Sequence, residues 1–503
     1  MKTWPRYPII YLINTWVWLQ ELGRGKKTPV TLASVPKKEW DALAALGIDA
    51  VWFMGVWERS PAGIEVSMRN QGLLDDFRRA LPDFVAADNV GSPYCVRNYV
   101  VDPHLGGAKG LAVARKELAR RGLRLMLDFV PNHVAPDHPW VTDHPDYFIK
   151  GNYGDSVREP AAFLAAGGNV FACGKDPFFP AWPDVLQLNA FNPGLRAAVI
   201  DTVKSIADQC DGVRCDMAML VMNDIFQRTW GDRAGARPDK EYWPELIGAV
   251  RATHPGFLFM AEAYWDLEWA LQQHGFDFCY DKKLYDRLEH DPAEAIRLHL
   301  CADMAYQERL VRFIENHDEP RAAATFFPEK ERASAVLTST LQGAVLLHEG
   351  QFEGRKVRLP VFLGRRPDEP PDPELRAFYA NLLQAIAKEG LRRGEWRLCD
   401  REGWPDNQSC TNIVAWCWDE GDKRHLVAVN LSEQGSQGKI RLPWGDLADC
   451  SWTFTDLLDG TAFAREGADL RDNGLYVDLG PWRFHFCSLR RNKAARKTSK
   501  VPL

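Results

Sequence analysis

The sequence predicts an α/β protein built on a parallel (β/α)8 barrel, the TIM barrel. Two observations support this fold class: short apolar runs alternate with amphipathic runs about eight times along the chain, and four of the apolar runs end in acidic residues. A strand followed by a helix, repeated eight times, is typical of this barrel. A doubly wound open sheet would share much of the alternation, so the periodicity alone does not choose between the two.

The predicted strands are too short for helices and are rich in Val, Ile, Leu and Phe, as expected of strands buried on both faces. They are Ile9–Trp18, Ala50–Trp57, Arg124–Val130, Gly212–Met217, Phe257–Ala263, Phe276–Tyr280, Leu310–Glu315 and Ala344–His348. The helix-like segments between and after them are Lys109–Arg121, Pro193–Gln209, Glu241–Thr253, Pro292–Gln307, Glu329–Leu341 and Pro373–Gly390. The barrel is therefore predicted over residues 1–132 and 190–395.

Two segments depart from this repeat. Residues 133–189 are rich in Pro, Gly, Asp and aromatic residues, which predicts an irregular domain inserted after the third strand, over the mouth of the barrel. Residues 396–490 contain short β-rich runs divided by turn residues, which predicts a C-terminal antiparallel β-sandwich. The last segment, 491–503, is predicted to be a basic disordered tail.

Composition excludes several classes of protein. The chain has 503 residues, of which 46% are hydrophobic, and a net charge of −6 without a basic stripe, so we expect no nucleic-acid partner. No apolar stretch reaches the length of a membrane span, and we expect no membrane partner. The eleven cysteines form no C-x-x-C pair, which favours reduced thiols and a cytoplasmic location. The oligomeric state is not predicted.

The acidic residues at the strand ends indicate the chemistry. Carboxylates from several strands of one barrel are what cleavage of a glycosidic bond requires. Arg214 and Asp216 are two apart on a strand and share a face, so the guanidinium would favour the ionised carboxylate that a nucleophile needs. Glu262 lies among apolar and aromatic residues, and burial would raise its pKa, as suits a proton donor.

Four segments together resemble the ordered motifs of glycoside hydrolase family 13, the α-amylase family. They are DFVPNH at 128–133, GVRCDM at 212–217, AEAYWD at 261–266 and ENHDEPR at 315–321. Members of that family have a TIM barrel, a domain inserted after strand three and a C-terminal β-sandwich. The resemblance implies that Asp216 is the nucleophile, Glu262 the general acid/base and Asp318 a third carboxylate that binds ring hydroxyls and stabilises the transition state.

The resemblance also implies supporting residues. It suggests that His133 and His317 bind hydroxyls of one sugar, that Arg214 orients Asp216, and that Tyr94, in SPYCVRNY, stacks on the sugar. Trp265 is predicted to bind substrate because it follows the acid/base by three positions. Residues expected to shape the site without reacting are Asp128, Asn132 and Arg321.

Members of that family retain anomeric configuration, which implies a double displacement through a glycosyl ester on Asp216 and a separation of about 5.5 Å between the two carboxyl groups. The substrate would be an oligosaccharide or other α-linked glucoside. Residues 217–220 lack the Lys-His pair that many α-amylases use for substrate and calcium, and the fifth motif is only partly present at 187–189. We therefore expect no obligatory cofactor; calcium is not favoured, and no metal ligand is assigned.

Several alternatives stay open on sequence alone. The same intermediate can pass to water, to a sugar or to phosphate, so an α-glucan transglycosylase or a glycosyl phosphorylase is an alternative to a hydrolase. The segment APDHPW, 135–140, resembles some of the family's transferases. Two further alternatives are a magnesium-dependent barrel lyase, which Arg214 argues against, and a non-catalytic binding subunit, which the three retained carboxylates argue against.

Overall fold

A computed structural model describes residues 4–492, and eight parallel strands close a barrel at its centre. The barrel strands are β1 (Ile9–Asn14), β2 (Ala50–Met54), β3 (Arg124–Phe129), β4 (Gly212–Cys215), β5 (Leu258–Ala261), β6 (Phe278–Tyr280), β7 (Leu310–Arg312) and β8 (Ala344–His348). Each strand pairs with the next, and β1 closes the ring against β8 with Ile9 opposite Val345. The predicted TIM barrel is confirmed, and the open sheet is excluded.

The barrel strands are apolar throughout because both of their faces are buried. Alternate residues such as Ile10 and Leu12 fill the barrel interior, while Ile9, Tyr11 and Ile13 pack outwards against the helices. The two sets belong to separate buried clusters, which is the layered packing expected of this fold.

The first strand is shorter than predicted. The apolar run continues to Trp18, but the strand ends at Asn14, whose side chain accepts a hydrogen bond from the Val17 N–H (3.4 Å) and caps the helix Thr15–Gly23. The other helices of the barrel and its loops are Lys37–Ala45, Pro61–Ser67, Gln71–Ala80, Gly107–Arg120, Pro193–Ala207, Asn223–Trp230, Tyr242–Arg251, Glu268–Gln273, Lys282–His290, Ala293–Leu300, Met304–Gln307, Ala322–Thr325, Pro328–Thr340 and Pro373–Glu389.

The insertion after β3 contains a four-stranded antiparallel sheet that the sequence did not predict. Its strands, in spatial order, are His133–Val134, Trp182–Gln187, Asn169–Gly174 and Phe163–Ala166, and its helices are Trp140–Asp143 and Tyr153–Arg158. Gly167 and Gly168 both have positive φ and make the two-residue turn between the last two strands. These strands have two to six residues each, which is too short to show a clear period in the sequence.

The C-terminal part is a sandwich of two antiparallel sheets around a shared apolar core. The larger sheet has the order Glu395–Leu398, Ile413–Glu420, Lys423–Asn430, Phe484–Arg491, Ser451–Asp456 and Ala462–Glu466, and the smaller has Asp400–Glu402, Ser436–Arg441 and Leu475–Leu479, with one helix, Gly467–Asn473. The indoles of Trp416 and Trp418 donate to the carbonyl of Thr340 (3.1 and 2.7 Å), which joins the larger sheet to the barrel. The last strand includes Arg491, the first residue of the predicted tail, while residues 493–503 lie outside the described residues.

Two further features flank the mouth of the barrel. A short strand, Trp57–Arg59, pairs with Val96–Val101 in the segment between β2 and β3. The segment 349–372 follows β8 without a helix or strand.

Within residues 4–492, none of the helices combines the length and the apolar character that crossing a bilayer requires.

Candidate active site

A cavity of about 310 Å³ lies at the carboxyl ends of the barrel strands. Segments that follow β2, β3, β4, β5, β7 and β8 each contribute to its wall. The lining residues are Ser92, Tyr94, His133, Trp182, Asp184, Val185, Asp216, Met217, Glu262, Tyr264, Asp318 and Phe362. The three carboxylates singled out in the sequence thus line one cavity.

Arg214 links these three carboxylates. Its Nη1 lies 2.5 Å from Asp216 Oδ1, and its Nη2 lies 2.8 Å from Glu262 Oε2 and 3.9 Å from Asp318 Oδ2. The Arg214 side chain has no solvent exposure. One guanidinium thus contacts both Asp216, to which it donates a hydrogen bond, and Glu262, with which it forms an ion pair.

Three aromatic rings surround the Arg214 guanidinium. Its central carbon lies 5.0 Å from the ring centroid of Tyr94, 5.5 Å from that of Trp52 and 5.9 Å from that of Tyr280. Ring faces stabilise a desolvated cation, which helps a buried arginine to remain charged. Tyr280, at the end of β6, was not singled out in the sequence, and its position at a strand end is the only signal that could have indicated it.

Glu262 is held at both oxygens. The Tyr264 hydroxyl donates to Oε1 (2.9 Å), and the backbone N–H of Met217 donates to Oε2 (2.6 Å). Met217 also has a left-handed backbone (φ 42°), which is a costly conformation for a residue other than glycine. Burial raises the pKa of Glu262 to about 7, although Arg214 pulls it down. Sequence reasoning missed Tyr264, two positions after Glu262.

The other two carboxylates have different environments. Burial raises the pKa of Asp216, and the charge and hydrogen bond of Arg214 oppose that rise. Burial also acts to raise the pKa of Asp318, but His317, whose Nε2 lies 3.0 Å from Oδ2, and Arg214 lower it to about 2. One carboxyl group of the cavity can therefore hold a proton near neutral pH while another is ionised.

The predicted substrate-binding side chains approach the same cavity from two sides. The Tyr94 hydroxyl lies 2.5 Å from Nε2 of His317. On the insertion side, the ring of His133 packs against Trp182 with centroids 5.2 Å apart. Burial lowers the pKa of His133 to about 3, so this imidazole is neutral at neutral pH.

Two predicted supporting residues lie beneath or beside the cavity. Asp128 is fully buried and accepts hydrogen bonds from the Trp52 indole (3.1 Å) and the Gly55 N–H (2.8 Å). The guanidinium of Arg321 contacts Glu315 (2.7 Å) and the Glu349 carbonyl (2.8 Å). Both residues anchor loops that carry lining residues.

Asn132 pairs with another side-chain amide. Its Oδ1 accepts from Gln187 Nε2 (2.9 Å), and its Nδ2 donates to Gln187 Oε1 (3.2 Å). This pairing connects β3 to the sheet of the insertion. The amide oxygen of Asn132 is thus engaged by a protein donor.

Trp265 is not among the residues that line this cavity, and its role in binding substrate stays a prediction. Trp265 and Asp266 have positive φ angles (62° and 65°), so the chain turns sharply there. The Trp265 ring instead packs edge-on against Phe178 of the insertion, with centroids 4.8 Å apart. Spacing along the sequence could not show this turn.

A metal ion fits the described residues poorly at the cavity. Arg214 occupies the position between the carboxylates that a hard cation would need. Of residues 4–492, the group of His, Cys and acidic side chains close enough to share an ion is Asp456, His485 and Cys487, in the sandwich. Asp456 already accepts hydrogen bonds there from the backbone N–H groups of Leu458 (2.9 Å) and Phe486 (3.2 Å).

Comparison with known protein families identifies the family of this chain. The model of the catalytic domain of alpha amylase matches residues 37–357, and the chain therefore belongs to the α-amylase family. This confirms the resemblance seen in the four motifs.

Curated relatives are distant and longer. The chain is 25% identical to alpha-amylase MalA of Haloarcula japonica over 362 residues, which covers 69% of this chain and 44% of that protein. It is 24% identical over 418 residues to an alpha-1,4-glucan:maltose-1-phosphate maltosyltransferase of Rhodospirillum rubrum, covering 76% of this chain and 54% of that protein. The chain spans about half the length of the curated relatives it matches.

Solved structures share the whole architecture. The maltogenic alpha-amylase AmyB of Thermotoga neapolitana superposes with a TM-score of 0.69 at 19% identity, covering 97% of this chain and 99% of that one. An alpha-amylase of Geobacillus thermoleovorans, crystallised with acarbose, gives a TM-score of 0.67 at 17% identity, covering 98% and 100%. At this identity the likeness establishes the common fold.

Replacing Arg214 by Met should lower the free energy of unfolding by about 3 kcal/mol at neutral pH, because buried carboxylates lose their counter-charge. The pKa values of Asp216 and Glu262 lie above those of the unfolded chain, so the folded state holds more protons and stability falls as pH rises through them. Without Arg214 both pKa values rise further. The deficit of the variant, measured from thermal unfolding, should therefore grow between about pH 5 and about pH 8.

The matched control is Arg237→Met, which removes a surface ion pair with Asp224 and should change stability by less than about 1 kcal/mol. A deficit of Arg214→Met that is equal at both pH values would contradict the assigned role.

Proposed function

We propose that the protein is a retaining α-glycosidase that acts on α-linked glucosides. The observation that carries this proposal is the pair Asp216 and Glu262, which line one cavity and contact the same buried guanidinium. A nucleophile and a proton donor held at a fixed separation are what a double displacement needs. Membership of the α-amylase family supports the substrate class.

The proposed reaction has two steps. An Asp216 oxygen attacks the anomeric carbon while the bond to the leaving oxygen breaks, and Glu262 gives its proton to that oxygen. Glu262 then takes a proton from water or a sugar hydroxyl, which attacks the same carbon and releases Asp216. A pKa of about 7 suits Glu262 to both the acid and the base role.

The other lining residues would bind the sugar ring. Asp318, ionised beside His317, would accept hydrogen bonds from ring hydroxyls and stabilise positive charge at the anomeric carbon. Tyr94 would present its ring to the sugar, and the neutral imidazole of His133 would bind a hydroxyl on the insertion side.

The charge of the cavity favours neutral donors and acceptors. Among the described residues that line it, four are carboxylates and none is Lys or Arg. Arg214, below them, is already paired with carboxylates. A phosphate group would meet repulsion there, so the proposal favours hydrolysis or transfer to another sugar over phosphorolysis. Some relatives are named as maltosyltransferases, and this supports α-glucan transglycosylation as the second candidate function.

Product analysis tests this function. The wild-type protein should convert maltooligosaccharides to shorter sugars or to transfer products, and added phosphate should yield no sugar phosphate. Asp216→Asn removes the nucleophile and should lower kcat by about four orders of magnitude or more, while its circular dichroism spectrum stays that of a folded protein.

The initial anomer of the product should match that of the substrate. Inverted products would overturn the double displacement, as would an Asp216→Asn variant with near wild-type turnover. Absence of turnover on maltooligosaccharides, starch, sucrose and trehalose would overturn the proposed substrate class.

Tyr264→Phe should shift the basic limb of the kcat/KM profile to higher pH by about half to one unit. The Tyr264 hydroxyl donates to the Glu262 carboxylate and so favours its ionised form, and its loss raises the pKa of the acid. Because the limb reports loss of the Glu262 proton, it follows that pKa upwards. Tyr153→Phe, at an exposed side chain of the insertion, is the control and should leave the profile unchanged.

We also propose that no calcium ion is obligatory. Asn132 is engaged by Gln187, and residues 217–220 offer only apolar side chains. Activity should survive treatment with EDTA, measured against an untreated sample. Loss of activity that added calcium restores would contradict this.

The domain boundaries stay a proposal: residues 1–132 and 190–395 for the barrel, 133–189 for the insertion and 396–490 for the sandwich. Their support is that the closed barrel, the four-stranded sheet and the two sandwich sheets lie within these bounds apart from edge residues. A cytoplasmic location and the lack of nucleic-acid and membrane partners also stay predictions from composition.

A further inference from the structure

Asp184 is a fourth carboxylate of the cavity, and the reaction proposed above does not use it. It lies on the strand Trp182–Gln187 of the insertion, whereas Asp216 and Glu262 follow the barrel strands β4 and β5. Its side chain lines the cavity, yet the residue is only 8% exposed. A carboxylate so deeply buried ordinarily has a partner.

The structure gives Asp184 no cationic partner. Asp216 and Glu262 contact Arg214, and Asp318 contacts His317. For Asp184, in contrast, the described residues 4–492 include no Lys, Arg or His within ion-pair distance, and the only hydrogen bond to its carboxylate comes from its own backbone N–H. Burial raises the pKa of Asp184 to about 6, so most of it is still ionised at neutral pH.

An indole lies beside this carboxylate. Trp182, two residues earlier on the strand, also lines the cavity and packs on His133. The packing depends on Gly174, where a Cβ would lie 3.2 Å from the Trp182 ring, 3.1 Å from His133 Cβ and 2.9 Å from a Val185 methyl. The backbone of the neighbouring strand thus leaves room for the ring, and a flat apolar face adjoins an unpaired acceptor.

An apolar ring face beside a hydrogen-bond acceptor suits a sugar, which has an apolar face and peripheral hydroxyls. We propose that Trp182 and Asp184 bind a neutral glucosyl unit, with the indole against the ring and the carboxylate accepting hydrogen bonds from its hydroxyls. We further propose that the charge of Asp184 excludes phosphorylated sugars from this wall. The inference rests on the proposed function and names a selectivity residue for it.

Binding measurements on the inactive Asp216→Asn protein separate this inference from turnover. Isothermal titration with maltotriose should show that the added change Asp184→Ala weakens binding about tenfold or more, since hydrogen bonds to a charged acceptor are lost. With maltose 1-phosphate, Asp184→Asn should bind more tightly than the Asp216→Asn parent, because a neutral amide no longer repels the phosphate.

Thermal unfolding distinguishes a binding residue from a structural one. Removal of a carboxylate that stabilises the fold would lower the unfolding midpoint. A buried carboxylate without a counter-charge instead lowers the free energy of unfolding, so its removal should not lower the midpoint. Asp184→Ala should therefore unfold at or above the temperature of its parent. Asp143→Asn, at an exposed position of the same insertion, is the control and should change neither binding nor the midpoint.

The outcomes distinguish the two proposals. If the Asp216→Asn parent binds no maltooligosaccharide, the proposed function fails. If the parent binds maltotriose and Asp184→Ala binds it within twofold as well, the function stands and the role of Asp184 is overturned. A lowered midpoint together with weakened binding would assign Asp184 to folding and would also overturn the inference.

Discussion

The catalytic end of this barrel depends on one buried guanidinium. Arg214 projects from β4 into a shell of three aromatic rings and holds Asp216 and Glu262 at 2.5 and 2.8 Å. Removing a charge from water is costly, and only close, well-oriented partners repay that cost. The arginine therefore needs both carboxylates as much as they need it, and this mutual requirement links the end of β4 to the end of β5. The same arginine excludes a cation from their midst, which is why the arrangement favours sugar chemistry over a magnesium-dependent lyase.

Chemically identical groups acquire different tasks here through their surroundings. Glu262 is buried against Tyr264 and keeps its proton near neutral pH, whereas Asp318, 42% exposed at its side chain and beside His317, loses its proton readily. Asp184 is a third case, a buried carboxylate without a counter-charge among residues 4–492. The insertion contributes this last group together with Trp182 and His133, so one wall of the cavity comes from outside the barrel. Variation in the insertion can thus change which sugars are bound without disturbing the residues proposed to react.

Much of the barrel could be predicted because a strand that is buried on both faces has an almost entirely apolar sequence. Ala344–His348 is an example, and its bounds match the prediction. The end of β1 could not be predicted, because the apolar run continues to Trp18 while the strand ends at Asn14, which caps the following helix. The sheet of the insertion was not predicted because its strands are short. One of its hairpins has two consecutive glycines as its turn, and the sequence analysis did not recognise them as a hairpin turn. Within the site, the motif residues Asp216, Glu262 and Asp318 were expected at one place and line one cavity. The positions of Tyr264, Tyr280 and Asp184 at the site became apparent only in three dimensions, and the turn at Trp265, which directs its ring towards Phe178, could not be predicted from spacing.

The two indoles that reach the Thr340 carbonyl have a consequence for how this chain can be divided. That carbonyl belongs to the last residue of Pro328–Thr340, a helix that lies between β7 and β8 in the sequence and whose final eight residues are all buried. The carbonyl therefore has no partner within the helix. A helix end that takes its hydrogen bonds from another sheet is incomplete without it. The sandwich is thus part of the outer wall of the barrel rather than an appendage, and recombination with relatives would have to exchange both as one piece.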